Sequence, residues 1–163
     1  PGHGSSRADS HKGFVDITRY WQPEELTPYR NLIAGGMADM VMRAHLYHEK
    51  FSGNSGKQLP ASLSPNWITG VLRSQLGYSG VVISDDMEMG AIRQQFSLEE
   101  SIVLAVRAGT DILLFANTAR YRAGLAGEIV DVLVRTARDD PAFRARIEES
   151  YARIVALKSQ LAR

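Results

Sequence analysis

The stretch Val81-Val82-Ile83-Ser84-Asp85-Asp86 decides how this chain is read. Its apolar residues are β-branched and do not alternate with polar ones. That is the pattern of a strand buried on both faces, as in a parallel sheet. The run leads directly into two acids, and parallel α/β folds place their ligands beyond the carboxyl ends of their strands. Alternation puts Val81, Ile83 and Asp85 on one face and Val82, Ser84 and Asp86 on the other. If the first face lines a barrel, Asp85 projects into its mouth and Asp86 toward the helices. A carboxylate so placed serves as nucleophile, metal ligand or general base. Position alone leaves an ordinary helix cap or loop acid equally open.

Working outward, Asp39 to His45 (DMVMRAH) and Asp111 to Phe115 (DILLF) are two further runs of strand length. Helical signals separate them. Pro23 in a first turn, with Glu24 and Glu25, precedes Leu26, Tyr29, Leu32 and Ile33 at helical spacing, and Gly35-Gly36 ends that helix. Ser64-Pro65 reads as a cap with proline at the first helical position, Leu76 as the end and Gly77 as the stop. Ser97 with Glu100 forms a capping box for a helix to Ala108, closed by Gly109. A helix over 121–137 follows. Asp140-Pro141 opens the last one, with Phe143, Ile147, Tyr151, Ile154, Leu157 and Leu161 as its apolar stripe. Residues 1–19 and 46–63 read as polar loops, and His48 as loop surface.

Strands alternating with helices make a parallel sheet covered by helices. A closed (β/α)8 TIM barrel takes about 250 residues, and this chain has 163. The reading is therefore an α/β chain holding the C-terminal portion, about three βα units, of such a barrel. Residues 1–163 then form one partial catalytic domain whose N-terminal part is absent. Pro1-Gly2-His3-Gly4 has no initiator Met and no leader pattern, and it reads as the middle of a fold.

Composition excludes whole classes. Nineteen basic against 18 acidic side chains leave a net charge of +1, which argues against nucleic acid or an anionic membrane as partner. The absence of cysteine removes disulfides, iron–sulfur clusters and thiol nucleophiles.

Asp9-Ser10-His11 is the second chemistry-bearing group. An Asp two residues from a His can bond one ring nitrogen and fix the tautomer, leaving the other nitrogen to move a proton. An exposed loop with idle histidines has the same spacing. His3 adds another imidazole. A metal site of His3, His11 and Asp85 would lack the rigid i, i+4 pair common in zinc sites. His45 ends its strand level with Asp85 if the strands are in register, either satisfied there or lining a pocket. Met87, like Met89, follows the acidic pair and is placed either to pack or to touch a ligand.

At these residues a family resemblance enters. Pro1-Gly2-His3-Gly4-Ser5-Ser6-Arg7-Ala8-Asp9-Ser10-His11 resembles the PGHG-x4-D-[ST]-H loop of the bacterial β-N-acetylhexosaminidases of glycoside hydrolase family 3. Val81 to Ile92 (VVISDDMEMGAI) resembles that family's nucleophile segment. Leu59 to Ser64 (LPASLS) and Ala108 to Leu114 (AGTDILL) are similar to it as well. The resemblance implies a retaining glycosidase that removes terminal β-linked N-acetylglucosamine from glycans such as peptidoglycan fragments. Asp85 matches the nucleophile, His11 the general acid/base and Asp9 its dyad partner. His3, Gly4, His45 and Met87 are then candidates for the sugar pocket. No metal or organic cofactor is required, and phosphate in place of water as acceptor stays open. The family pattern also begins with Lys-His-Phe and takes an Asp and an Arg from upstream strands. Those are missing, which implies inactivity unless the N-terminal half of the barrel joins this chain. Bacterial cytoplasm and periplasm are both open.

Two other classes compete. An Asp ending an apolar strand imitates a phospho-acceptor signalling domain, although no acidic pair follows an earlier strand and no Lys ends the last one. A glycosidase-derived fragment that only binds is the other.

Overall fold

The structure, a computed structural model, describes residues 2–53, 56–118 and 120–161. Pro1 and the side chain of Leu161 lie outside the described residues. Strands β1 (Met40–Arg43), β2 (Val81–Asp86) and β3 (Ile112–Leu114) form one parallel sheet in that order. A 3-10 turn (Pro23–Leu26) leads into helix α1 (Thr27–Ala34). Helix α2 (Glu49–Ser52) and a π-type helix (Asn66–Gln75) lie between β1 and β2. Helices α3 (Gly90–Arg93) and α4 (Leu98–Ala108) join β2 to β3, and α5 (Leu125–Asp139) and α6 (Pro141–Leu161) complete the chain.

The expected caps act as caps. Ser97 Oγ accepts from the Glu100 amide at 3.1 Å. Gly109 closes α4 at φ 111°, in the left-handed region that favours glycine. Asp140 Oδ1 accepts from the amides of Ala142 and Phe143 at 2.9 and 3.0 Å. Ser64 is the exception: its hydroxyl donates to the Phe51 carbonyl and caps no helix.

One face of the sheet meets the helices. Val41 and Val82 pack with Ile68, Leu72 and Ala108, and Leu113 packs against Leu63, Ile92 and Phe96. The other face is open along β1 only, since Val81 on β2 is buried. Met40 and Met42, in register with Val81 and Ile83, are exposed.

Several sequence expectations need correction. The two loop segments are not polar throughout: Val15, Ile17, Leu46, Tyr47 and Leu59 are all buried. Their backbones pair, with the Ile17 amide donating to the Tyr47 carbonyl and the Tyr47 amide to the Val15 carbonyl, each at 2.9 Å. His48 is buried among the rings of Trp21, Phe51 and Trp67. Burial lowers its pKa, and its Nδ1 accepts the Lys50 amide at 3.2 Å.

Helix α6 departs too. Tyr151 is 70% exposed, while Phe143, Ser150 and, in part, Arg146 and Arg153 face inward. The cause is Asp111, whose side chain is wholly enclosed. Its Oδ1 accepts from Arg146 at 2.5 Å, Ser150 at 2.9 Å and Arg153 at 3.1 Å. Its Oδ2 accepts from Arg73 at 2.8 Å and the Val82 amide at 2.9 Å. Burial alone pushes this carboxyl up, but the Val82 amide, Arg146 and Ser150 together hold it below its ordinary pKa.

Candidate active site

The end of β2 is irregular where it matters. Ile83 pairs with Ile112 and Asp86 with Leu114, three steps on β2 against two on β3. The extra residue is a bulge, a device that re-aims side chains beside sites. Buried Ser84 repairs the ladder, its Oγ accepting the Leu114 amide at 2.9 Å. The two acids beyond it then diverge. Asp86 Oδ1 accepts the amides of Glu88 at 3.0 Å and Ala116 at 3.1 Å, which commits it to the loops after β2 and β3. Asp85 Oδ1 accepts only the Asp86 amide, at 2.8 Å, and among the described residues Asp85 forms no ion pair. Its half-buried carboxylate is free to act on a ligand.

Asp9 and His11 form the expected pair. Nδ1 of His11 lies 2.9 Å from Asp9 Oδ1, and the His11 amide donates to the same oxygen at 2.9 Å. An ionised carboxylate only accepts, so Nδ1 carries the proton and Nε2 is left outward. The bonds from the His11 amide and ring hold Asp9 below its ordinary pKa. The imidazole is 73% exposed.

The loop bearing this pair is docked on the segment after β2. The amides of Gly90 and Ala91 donate to the carbonyls of His11 at 3.0 Å and Ser10 at 3.1 Å. Gln94 Nε2 donates to the Lys12 carbonyl at 2.8 Å. Gly90 is required by the close approach: a Cβ there would lie 2.7 Å from the His11 oxygen and from Lys12 C. Sequence reasoning missed these docking residues. They lie far from the loop along the chain, and the one available signal is a glycine soon after the acidic pair.

His3 and Gly4 sit at the outer part of the same loop. His3 Nε2 is 2.8 Å from the hydroxyl of Ser10, which is itself fully buried. Ser5 Oγ and the Gln22 amide both donate to Glu25 Oε1, at 2.6 and 3.1 Å, tying the Gly4 turn to the 3-10 segment.

Two expected pocket residues are elsewhere. His45 is 1% exposed and level with Asp86, one step beyond the expected register. Its Nε2 donates to the Asp86 carbonyl at 3.0 Å, so neutral Nδ1 accepts from Ser62 Oγ at 2.6 Å. Burial lowers its pKa. With both nitrogens engaged inside the protein, His45 braces the strand end and offers nothing to a ligand. Met87 is fully buried against Leu63, Ile92 and Phe96 and is a packing residue. Among the described residues no three His, Asp or Glu side chains converge as a metal centre would need.

The model of the glycosyl hydrolase family 3 N terminal domain matches residues 1–157. The chain belongs to glycoside hydrolase family 3. A family 3 domain is a TIM-barrel-like α/β fold, and the parallel strands and helices here are part of such a barrel. A beta-hexosaminidase of Tolumonas auensis is 37% identical over 148 residues, 89% of this chain and 40% of the relative. The solved family 3 beta-N-acetylglucosaminidase of Paenibacillus sp. str. FPU-7 matches with a TM-score of 0.83 and 35% identity, over 99% of this chain and 30% of its own. The Beta-N-acetylhexosaminidase of Beutenbergia cavernae matches with a TM-score of 0.83 and 27% identity, over 98% of this chain and 45% of its own. The chain thus spans less than half the length of these relatives. A phospho-acceptor reading finds no support in family 3 membership.

Proposed function

We propose that this chain carries the nucleophile and the proton-transfer dyad of a retaining glycosidase that removes terminal β-linked N-acetylglucosamine. The observation that carries the reading is the docking of the His11 loop on the segment following Asp85, through Gly90 and Ala91. On this reading a base and a nucleophile carried by separate elements serve one site beyond β2.

In the first step a carboxylate oxygen of Asp85 attacks the anomeric carbon. The glycosidic C–O bond breaks, and the leaving oxygen takes the proton from His11 Nε2. In the second, water attacks the glycosyl ester, His11 Nε2 accepts its proton, and Asp85 departs as carboxylate. Asp9 holds Nδ1 and stabilises the imidazolium. Most retaining enzymes use two carboxylates. A neutral base avoids placing a second anion near Asp85 while water is activated. His3 and Gly4 belong to the same loop and are proposed to border the sugar.

The names of the relatives support the sugar. Peptidoglycan fragments are one natural source of such termini. The open sheet face at Met40 and Met42 suits further barrel strands, and an upstream half would supply the remaining contacts to the sugar.

The test is release of a chromophore from an aryl β-N-acetylglucosaminide by the intact gene product, with a 2-fluoro sugar to trap the intermediate. A glycosyl mass on the peptide containing Asp85 is expected. Hydrolysis that survives loss of Asp85, or a label elsewhere, overturns the assignment.

A further inference from the structure

Among the described residues, three buried nitrogen donors have no hydrogen-bond partner: Arg43 Nη1, Trp21 Nε1 and Trp67 Nε1. They belong to one region. Arg43 and Trp67 line the same cavity of about 30 Å³, walled by α1, β1 and the π-type helix. Trp21 packs edge-on against Trp67 with ring centroids 5.3 Å apart. Buried polar groups in folded proteins nearly always find partners. Two of these donors, on Arg43 and Trp67, belong to residues that line one cavity, which leaves room there for an occupant that accepts.

Charge narrows the choice. Arg43 is 3% exposed, and its Nη2 donates to the Ala61 carbonyl at 2.6 Å. Among the described residues no carboxylate lies within ion-pair distance of it. Guanidinium keeps its proton in proteins, and a buried charge without a counter-charge is strongly unfavourable. Burial pushes its pKa down to about 9, with the Arg73 charge adding to the fall and Tyr29 opposing it. Water would satisfy the N–H groups and leave the charge unbalanced. Size narrows the choice further. One water-sized occupant needs roughly 10–15 Å³ of such space. A cavity of about 30 Å³ has room for a small ion, and a halide suits it better than the bulkier phosphate or a sugar acid.

We propose that Arg43 and Trp67, backed by Trp21, form an internal site for one small monovalent anion of halide size. The anion accepts from the guanidinium and the indole and neutralises the arginine beneath β1. It lies on the helix side of the sheet and is independent of the sugar chemistry.

The test is made on the protein with chloride or bromide against gluconate at constant ionic strength. Trp21 and Trp67 are the only tryptophans of the chain, so their emission reports this region. Bromide is expected to quench that emission saturably, and both halides to raise Tm saturably by a few degrees. Arg43→Met is expected to abolish both effects. Halide responses that do not saturate, or that persist unchanged in Arg43→Met, overturn the site. Should Arg43→Met fail to fold, anomalous diffraction from a bromide-soaked wild-type crystal decides. A peak within reach of Arg43 and Trp67 supports the proposal, and a cavity holding only water ends it.

Discussion

His11 and Gly90 are joined backbone to backbone, the Gly90 amide donating to the His11 carbonyl at 3.0 Å. The seating of the His11 backbone therefore depends on a residue with no side chain. In Gly90→Ala the added methyl would meet that carbonyl at 2.7 Å, and the loop must lift. A displacement near 1 Å costs about 100-fold in a positioned reaction. Turnover is expected to fall by about 10- to 100-fold with folding intact, as read by kcat beside a thermal melt. Full turnover in this variant would show that the glycine does not set the loop.

The acidic pair divides its labour. Asp85→Asn is expected to lower turnover by at least about 10³-fold while Tm stays near wild type. Asp86→Ala removes the acceptor for the Glu88 and Ala116 amides. It is expected to cost about 1–3 kcal/mol of stability, measured by denaturant unfolding. Equal loss of turnover with no loss of stability in Asp86→Ala would reverse the two roles.

His11→Ala is expected to cost about 10²- to 10⁴-fold on a substrate with a poor leaving group. The loss should shrink sharply in the glycosylation step of an activated aryl glycoside, whose leaving oxygen needs no proton. Pre-steady-state bursts on the two substrates separate the cases. A loss independent of the leaving group would remove His11 from proton transfer.

Asp111 predicts a pH dependence of stability. Its folded pKa lies below the unfolded value, so its stabilisation is present above the unfolded pKa, near 3.9. That contribution is lost as pH falls through the folded pKa. Asp9 and Asp140 share the direction from more exposed sites. Asp111→Ala leaves Arg73, Arg146 and Arg153 without their shared acceptor and is expected to cost about 3–5 kcal/mol. Urea unfolding from pH 7 to pH 3 should show a flatter acid slope in the variant. An unchanged slope would place the acid sensitivity elsewhere.

Met87→Ala provides a check on the packing assignment. A fully buried methionine replaced by alanine is expected to cost about 2–5 kcal/mol. Inhibition by a competitive sugar ligand should stay unchanged in protein that remains folded. A large change in Ki at equal stability would return Met87 to the pocket.

Strands and caps were legible because local chemistry decides them. Val81 to Ile83 has few alternatives to a buried strand, and Ser97, Gly109 and Asp140 act within a few residues of themselves. The Asp9–His11 pair was legible for the same reason, since its partners are two residues apart. What could not be read depends on distant partners. Arg146 and Arg153 face inward only because Asp111 is buried opposite them, which displaces Tyr151 from the expected stripe. His48 looks like a loop residue until Trp21, Phe51 and Trp67 close around it. His45 followed the right register rule but fell level with Asp86, and a single step turned a pocket candidate into a brace.

The Asp111 cluster grips the beginning of β2 through Val82, whereas Asp85 stands at that strand's far tip. Tolerance to change is thereby separated along a single strand. Changes in the loops at the tip leave untouched the arginines that anchor the strand's base.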